Sequence, residues 1–179
     1  MNRNEQEQKE VIRLYSAFGA SLLLMLVPSA AVAVFSALLF LGVFIAAYVM
    51  RKKSAPESLC ENHATYIIRT IWIGGFLSVL TMSAATAYML PNIDNAPLEP
   101  CAASLVSQAQ DLAKNEDIAA LSRLMQPCMD EFMHLNGRVF LITVAITAIP
   151  VMLYFLVRFW RGLSRANGGY RIANLKSWL

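Results

Sequence analysis

The residues best equipped for chemistry gather in one short stretch: Glu61, Asn62, His63, Thr65, Tyr66, Arg69, Thr70 and Trp72. A histidine among hydroxyls and a carboxylate is raw material for acid–base catalysis, but nucleophilic catalysis also needs an activated nucleophile and a third group to orient the base. No Ser/His/Asp arrangement, phosphate loop or metal-ligand spacing accompanies the stretch, and the other histidine, His134, lies beyond the next apolar run. If a helix starts early enough, His63, Tyr66 and Thr70 share one of its faces while Arg69 points elsewhere. Arg69 then either snorkels to lipid phosphates, with Trp72 in the headgroup zone, or turns inward to bond helix-end carbonyls or Glu61. The expected catalytic, cofactor and metal residues are therefore none, and the chain is expected not to be an enzyme. His63, Arg69, Thr70, Trp72, Arg158, Arg161, Arg171 and Trp178 are its candidates for interface or lipid contact.

The elements that must position these residues are written in hydropathy. The chain is 57% hydrophobic, and its apolar residues concentrate in runs from Leu14 to Met50, Ile67 to Leu90 and Val139 to Phe159. About 20 apolar helical residues cross a bilayer, so the first run is too long for one crossing and Pro28 divides it into a hairpin. The expected fold is an all-α polytopic membrane protein with four transmembrane helices: a hairpin over 14–50 and further spans over 67–90 and 137–160. A rival reading of the N-terminus as a cleavable signal peptide is disfavoured by Glu5, Glu7 and Glu10 and by the second apolar stretch that follows at once.

Basic residues in short loops resist translocation, which fixes orientation. The connection 51–66 opens with Arg51, Lys52 and Lys53, and the chain at and after the end of the last span, including the tail 161–179, carries Arg158, Arg161, Arg165, Arg171 and Lys176 without an acid. Both are expected in the cytoplasm, together with the N-terminal tail 1–13. The segment 91–136 is acid-rich and is expected in the periplasm. The location read from this pattern is the bacterial inner membrane, with both termini cytoplasmic.

Cysteine use follows the same map. Cys60 falls in the cytoplasmic connection, whereas Cys101 and Cys128 flank the periplasmic segment and are expected to form a disulfide. Closing a loop of about 27 residues would contribute roughly 3–4 kcal/mol on the chain-entropy model. Within that loop, Leu105, Ala109, Leu112 and Ala113 recur at helical spacing, and Asp117 is placed to cap a second helix carrying Ile118, Leu121, Leu124 and Met125. The expected module is a small disulfide-stapled helical pair, after which Asn136-Gly137 turns the chain back into the bilayer and Pro150 kinks the last span.

Absence is informative too. No Asp, Glu, His or Lys occupies the middle of any apolar run, and the mid-run polar side chains are hydroxyls such as Thr81, Thr86, Thr143 and Thr147. Ion or proton coupling generally needs an ionisable group there, which weighs against a secondary transporter. The small residues Ala33, Ala37, Gly42 and Ala46, and Gly74, Gly75, Ser78 and Ala84, read as close-packing stripes. The cationic tail ending in Trp178 serves as topogenic charge, as a contact for an anionic inner leaflet, or as both.

The stretch Ala47-Tyr48-Val49-Met50-Arg51, His63, Ile68-Arg69-Thr70 and Trp72, with Arg161-Gly162-Leu163, Arg171 and Ser177-Trp178-Leu179 in the tail, resembles the core signature of the Tic-twenty-like family of small bacterial membrane proteins. Plastid members of that family belong to the chloroplast inner-envelope protein-import machinery. The resemblance covers the hairpin, the third span and the tail, and implies an all-helical, four-span inner-membrane protein without a catalytic centre. Ile71 stands where family motifs usually carry an aromatic, and the long cysteine-bearing loop is not typical of the family.

The expected function is a non-enzymatic scaffold or accessory subunit of a membrane assembly, related to protein transport or envelope maintenance. Its expected partners are the lipid bilayer and a protein partner or a second copy in the membrane, with no nucleic acid and no cofactor. A channel or small-solute transporter is the alternative, and a periplasmic thiol–disulfide sensor built on Cys101 and Cys128 the weaker one.

Overall fold

A computed structural model describes residues 3–100, 102–103 and 118–175. Among them the chain is all-α, with four long helices in the order α1 (Arg3–Leu24), α2 (Ala30–Lys53), α3 (Leu59–Asn92) and α4 (Ile118–Asn167), and a 3-10 turn at Ala96–Leu98 after α3. Three of the four, α2, α3 and the part of α4 from Met125, are long and apolar enough to cross a membrane.

That count corrects the expected four. α1 does end near the proline break, at Leu24, but it begins at Arg3 and carries its charged residues through its first half. Its 22 residues span about 33 Å, of which only the stretch after Arg13 is continuously apolar, too little to satisfy a bilayer alone. The expected disulfide-stapled helical loop is not found among the described residues. No disulfide joins two described residues; Cys101, the helix expected around Leu105 to Ala113 and the Asp117 cap lie outside the described residues. Asn136-Gly137 is not a turn either: α4 runs unbroken from Ile118 to Asn167. A single glycine costs a helix only about 1 kcal/mol, and the Asn136 carboxamide has a better use than a turn. It accepts from the Asp94 amide (2.8 Å) and donates to the Asp94 carbonyl (2.8 Å) and to the Phe132 carbonyl one turn back (3.0 Å).

The chain forms two compact units, Met1–Val79 with Pro150–Leu179, and Leu80–Ile149; their boundary on α4 falls at Pro150. The second unit holds the later part of α3, the earlier part of α4 and the Asn136 clamp on residue 94.

The first unit carries the core. Val11, Leu14, Tyr15 and Phe18 recur along one side of α1 at the spacing of a helical stripe, and all are buried. They pack with Val43 and Ala47 of α2, with Tyr66, Ile67 and Ile68 of α3 and with Phe155, Phe159 and Leu163 of α4. Phe18 lies at the centre of an aromatic cluster, 5.9 Å from Phe40, 6.0 Å from Phe155 and 6.2 Å from Phe159 between ring centroids. Glycines admit these rings: a Cβ on Gly19 would stand 2.7 Å from the Phe159 ring, and one on Gly74 would meet Phe155. α1 and α2 are also pinned by a hydroxyl, since buried Ser36 donates to the Ser21 carbonyl at 2.7 Å. Large apolar side chains on the remaining faces, among them Leu38, Leu41 and Ile45 of α2 and Leu153, Leu156 and Trp160 of α4, stay exposed, as lipid-facing residues would.

Candidate functional site

The polar residues of the first unit converge where α1 begins, α3 begins and α4 ends. The 34-residue α3 exceeds what a bilayer needs, so its opening turns, Leu59 to Tyr66, precede the apolar run that begins at Ile67. This early start puts His63, Tyr66 and Thr70 on one buried face, while Arg69 is half-buried on another.

His63 is fully buried and bonded at both ring nitrogens. Nε2 lies 3.1 Å from the Tyr170 carbonyl oxygen and Nδ1 3.1 Å from the Tyr15 hydroxyl. A carbonyl only accepts, so Nε2 carries the proton, Nδ1 accepts, and Tyr15 donates. The Tyr15 ring meets the imidazole edge-on, with centroids 5.6 Å apart, and lies against Gly162 of α4, where no side chain would fit. Burial lowers the His63 pKa below its ordinary 6.5, against a smaller upward pull from the Tyr170 carbonyl.

The sign of the pH effect follows. A histidine with a depressed folded pKa leaves the unfolded chain holding more protons as pH drops below about 6.5, so stability falls in that window and levels off below the folded pKa. Unfolding temperatures of the wild-type chain are expected to drop between about pH 7.5 and pH 5.5 by more than those of His63→Gln, whose side chain has no proton to take up. Parallel slopes for the two proteins would contradict a neutral His63.

The chain after α4 is fastened by side chains that bond its backbone. α4 ends at Gly168-Gly169, with Gly169 at φ +67°, and the Gly169 and Tyr170 amides turn back onto Ala166 and Arg165 carbonyls. Gln8 of α1 donates to the helix-end carbonyls of Ala166 (3.2 Å) and Asn167 (2.7 Å). Asn62 grips Ile172 at both ends of its peptide, accepting from its N–H at 2.8 Å and donating to its carbonyl at 3.2 Å. Ile172 is itself buried. Replacing Asn62 with alanine removes both bonds and strands a buried amide and carbonyl, a local cost of about 2–3 kcal/mol. Hydrogen exchange of residues 168–175 is expected to speed up in Asn62→Ala while the middle of α2 keeps its protection; unchanged exchange in the tail would refute the clamp.

Arg158 is the largest fully buried side chain of the described residues. Its guanidinium carbon sits 3.9 Å from the Tyr66 ring centroid, and its Nε donates to the Thr70 hydroxyl at 3.1 Å. Tyr66 in turn donates to the Arg158 carbonyl at 3.3 Å, and Thr70 donates to the Tyr66 carbonyl at 2.8 Å. Cation, ring and hydroxyl thus join α3 to α4 in one closed set of contacts.

Of the candidates read from sequence, His63, Thr70 and Arg158 come together in this interior. Trp72 is exposed and donates from Nε1 to the Tyr48 hydroxyl at 3.0 Å. Arg161 and Arg171 are exposed, the latter 3.9 Å from the Glu57 carboxylate, and Trp178 lies outside the described residues. Glu61 accepts from the Thr65 hydroxyl at 3.2 Å. Tyr15 was missed; its place in the stripe of Val11, Leu14 and Phe18 marked it as buried, and a buried phenol needs a partner.

Cys60, in the first turn of α3, is a buried free thiol, and burial with Glu7 and Glu10 beside it pushes its pKa up to about 11. Among the described residues no group of three or more His, Cys, Asp or Glu side chains is placed to hold a metal. No family model, curated protein or solved structure matches this chain.

Proposed function

We propose that this chain is a non-enzymatic integral membrane protein that serves as a scaffold or accessory subunit of a membrane assembly. One observation carries the reading: the groups able to do chemistry, Tyr15, His63, Tyr66, Thr70 and Arg158, are engaged in bonds that lock α1, α3, α4 and the tail of the first unit together. His63 is fully buried, so neither ring nitrogen is open to a substrate. The charge pattern favours the bacterial inner membrane with both tails in the cytoplasm, and the likeness of residues 47–72 and of the tail to the Tic-twenty-like family favours a role near protein transport or the envelope.

Affinity purification of the full chain from its own membranes in mild detergent tests this. A companion protein at constant ratio, or a discrete oligomer, is expected. A lone monomer, joined to solute flux in proteoliposomes that protein-free liposomes lack, would overturn the scaffold in favour of a channel.

A further inference from the structure

We propose that the C-terminal end of α2 binds the phosphate headgroup of an anionic phospholipid. An open groove of about 370 Å³ there is lined, among the described residues, by Tyr48, Val49, Arg51 and Lys52. Arg51 and Lys52 are exposed, and neither forms an ion pair among the described residues. The Tyr48 hydroxyl already accepts from Trp72 Nε1, so its own proton is left to donate outward. Phe44 braces both rings edge-on, 5.0 Å from Tyr48 and 6.2 Å from Trp72, which fixes that hydroxyl across α2 and α3.

The groove therefore offers two cations and one oriented O–H, the donor set of a phosphate site. Its surroundings select the lipid-borne form of that anion. Toward the middle of α2 the same helix exposes Leu41 and Ile45, which acyl chains can cover, and Tyr48 and Trp72 are exposed beside the cations, a pairing that suits aromatic side chains to the headgroup zone. Each cation near an anionic headgroup adds roughly a factor of five to binding, so the pair supplies a factor of roughly 30.

This deepens the membrane reading and rests on it. Full-length protein in detergent is titrated with phosphatidylglycerol or phosphatidylcholine, and lipid adducts are counted by native mass spectrometry. Phosphatidylglycerol is expected to bind preferentially, roughly 30-fold less tightly to R51A/K52A, and more weakly to Tyr48→Phe, which keeps every charge. Arg165→Ala, an exposed base elsewhere, should leave binding unchanged. Equal loss in Arg165→Ala would reduce the effect to diffuse charge and overturn the site, as would equal binding of phosphatidylcholine or displacement of the lipid by inorganic phosphate. Release of the chain from membranes by alkaline washing would sink the membrane reading itself; retention without lipid preference sinks only the headgroup site.

Discussion

Arg158→Ala is expected to lower stability by about 3–5 kcal/mol, among the largest losses any single substitution in this chain produces. The side chain is fully buried, so truncation opens a cavity beneath the Tyr66 ring and withdraws the donor from Thr70. Charge and volume pull in opposite directions here. A buried cation is costly to desolvate, and its replacement by an apolar side chain of similar length often costs little. Arg158→Met, which keeps most of the volume, is therefore expected to lose about 1 kcal/mol or less, whereas Arg158→Lys, without the flat guanidinium that lies over the ring, falls between. Reversible unfolding in mixed micelles, followed by helix content, checks the order Ala, Lys, Met. If Met proved as damaging as Ala, the charge rather than the packing would be what α3 and α4 share.

Tyr15→Ala is the second large loss, about 3–5 kcal/mol for an aromatic ring removed from a full core. It empties the space against Gly162, breaks the edge-on contact with His63 and leaves Nδ1 of that ring without its donor. Tyr15→Phe separates the parts: the ring stays, the hydrogen bond goes, and about 1–3 kcal/mol is expected from stranding a buried acceptor. The same variant should loosen the segment after α4, because His63 holds the Tyr170 carbonyl with its other nitrogen. Unfolding free energies of the two variants and protease sensitivity of the tail check this. A Phe variant as stable as wild type would mean that the Tyr15–His63 bond contributes nothing net.

The apolar runs predicted α2 and α3 well because a bilayer-length stretch without acids has few other fates, and Pro28 marked a real break between α1 and α2. α1 was harder to read. Its apolar half is continuous in sequence with α2, so its charged half, Arg3 to Arg13, was taken for a tail when it is the first part of the same helix. Asn136-Gly137 looked like a turn by local chemistry, yet a distant backbone segment at Asp94 claimed the asparagine.

The polar interior was legible as a cluster and illegible as a lock. His63, Tyr66 and Thr70 share a face by helical spacing alone. Their partners are main-chain groups of Tyr170 and Ile172 and a side chain on α4, remote in sequence, and such bonds leave no periodic trace. Arg158 sits one turn from Arg161 and invited the same topogenic reading; only packing distinguishes the buried base from the exposed one.

The account depends most on the chain crossing the membrane with its α2–α3 connection inside the cell and the segment after α3 outside. Cys60 is a poor reporter, buried and with its thiol pKa near 11. Exposed neighbours serve instead: Ala55→Cys in the connection and Glu99→Cys beyond α3, each in a background whose native cysteines are replaced by alanine. With an impermeant maleimide applied to intact cells, Glu99→Cys is expected to label and Ala55→Cys to label only after the inner membrane is opened. Labelling of Ala55→Cys in intact cells with protection of Glu99→Cys would invert the topology and contradict the account.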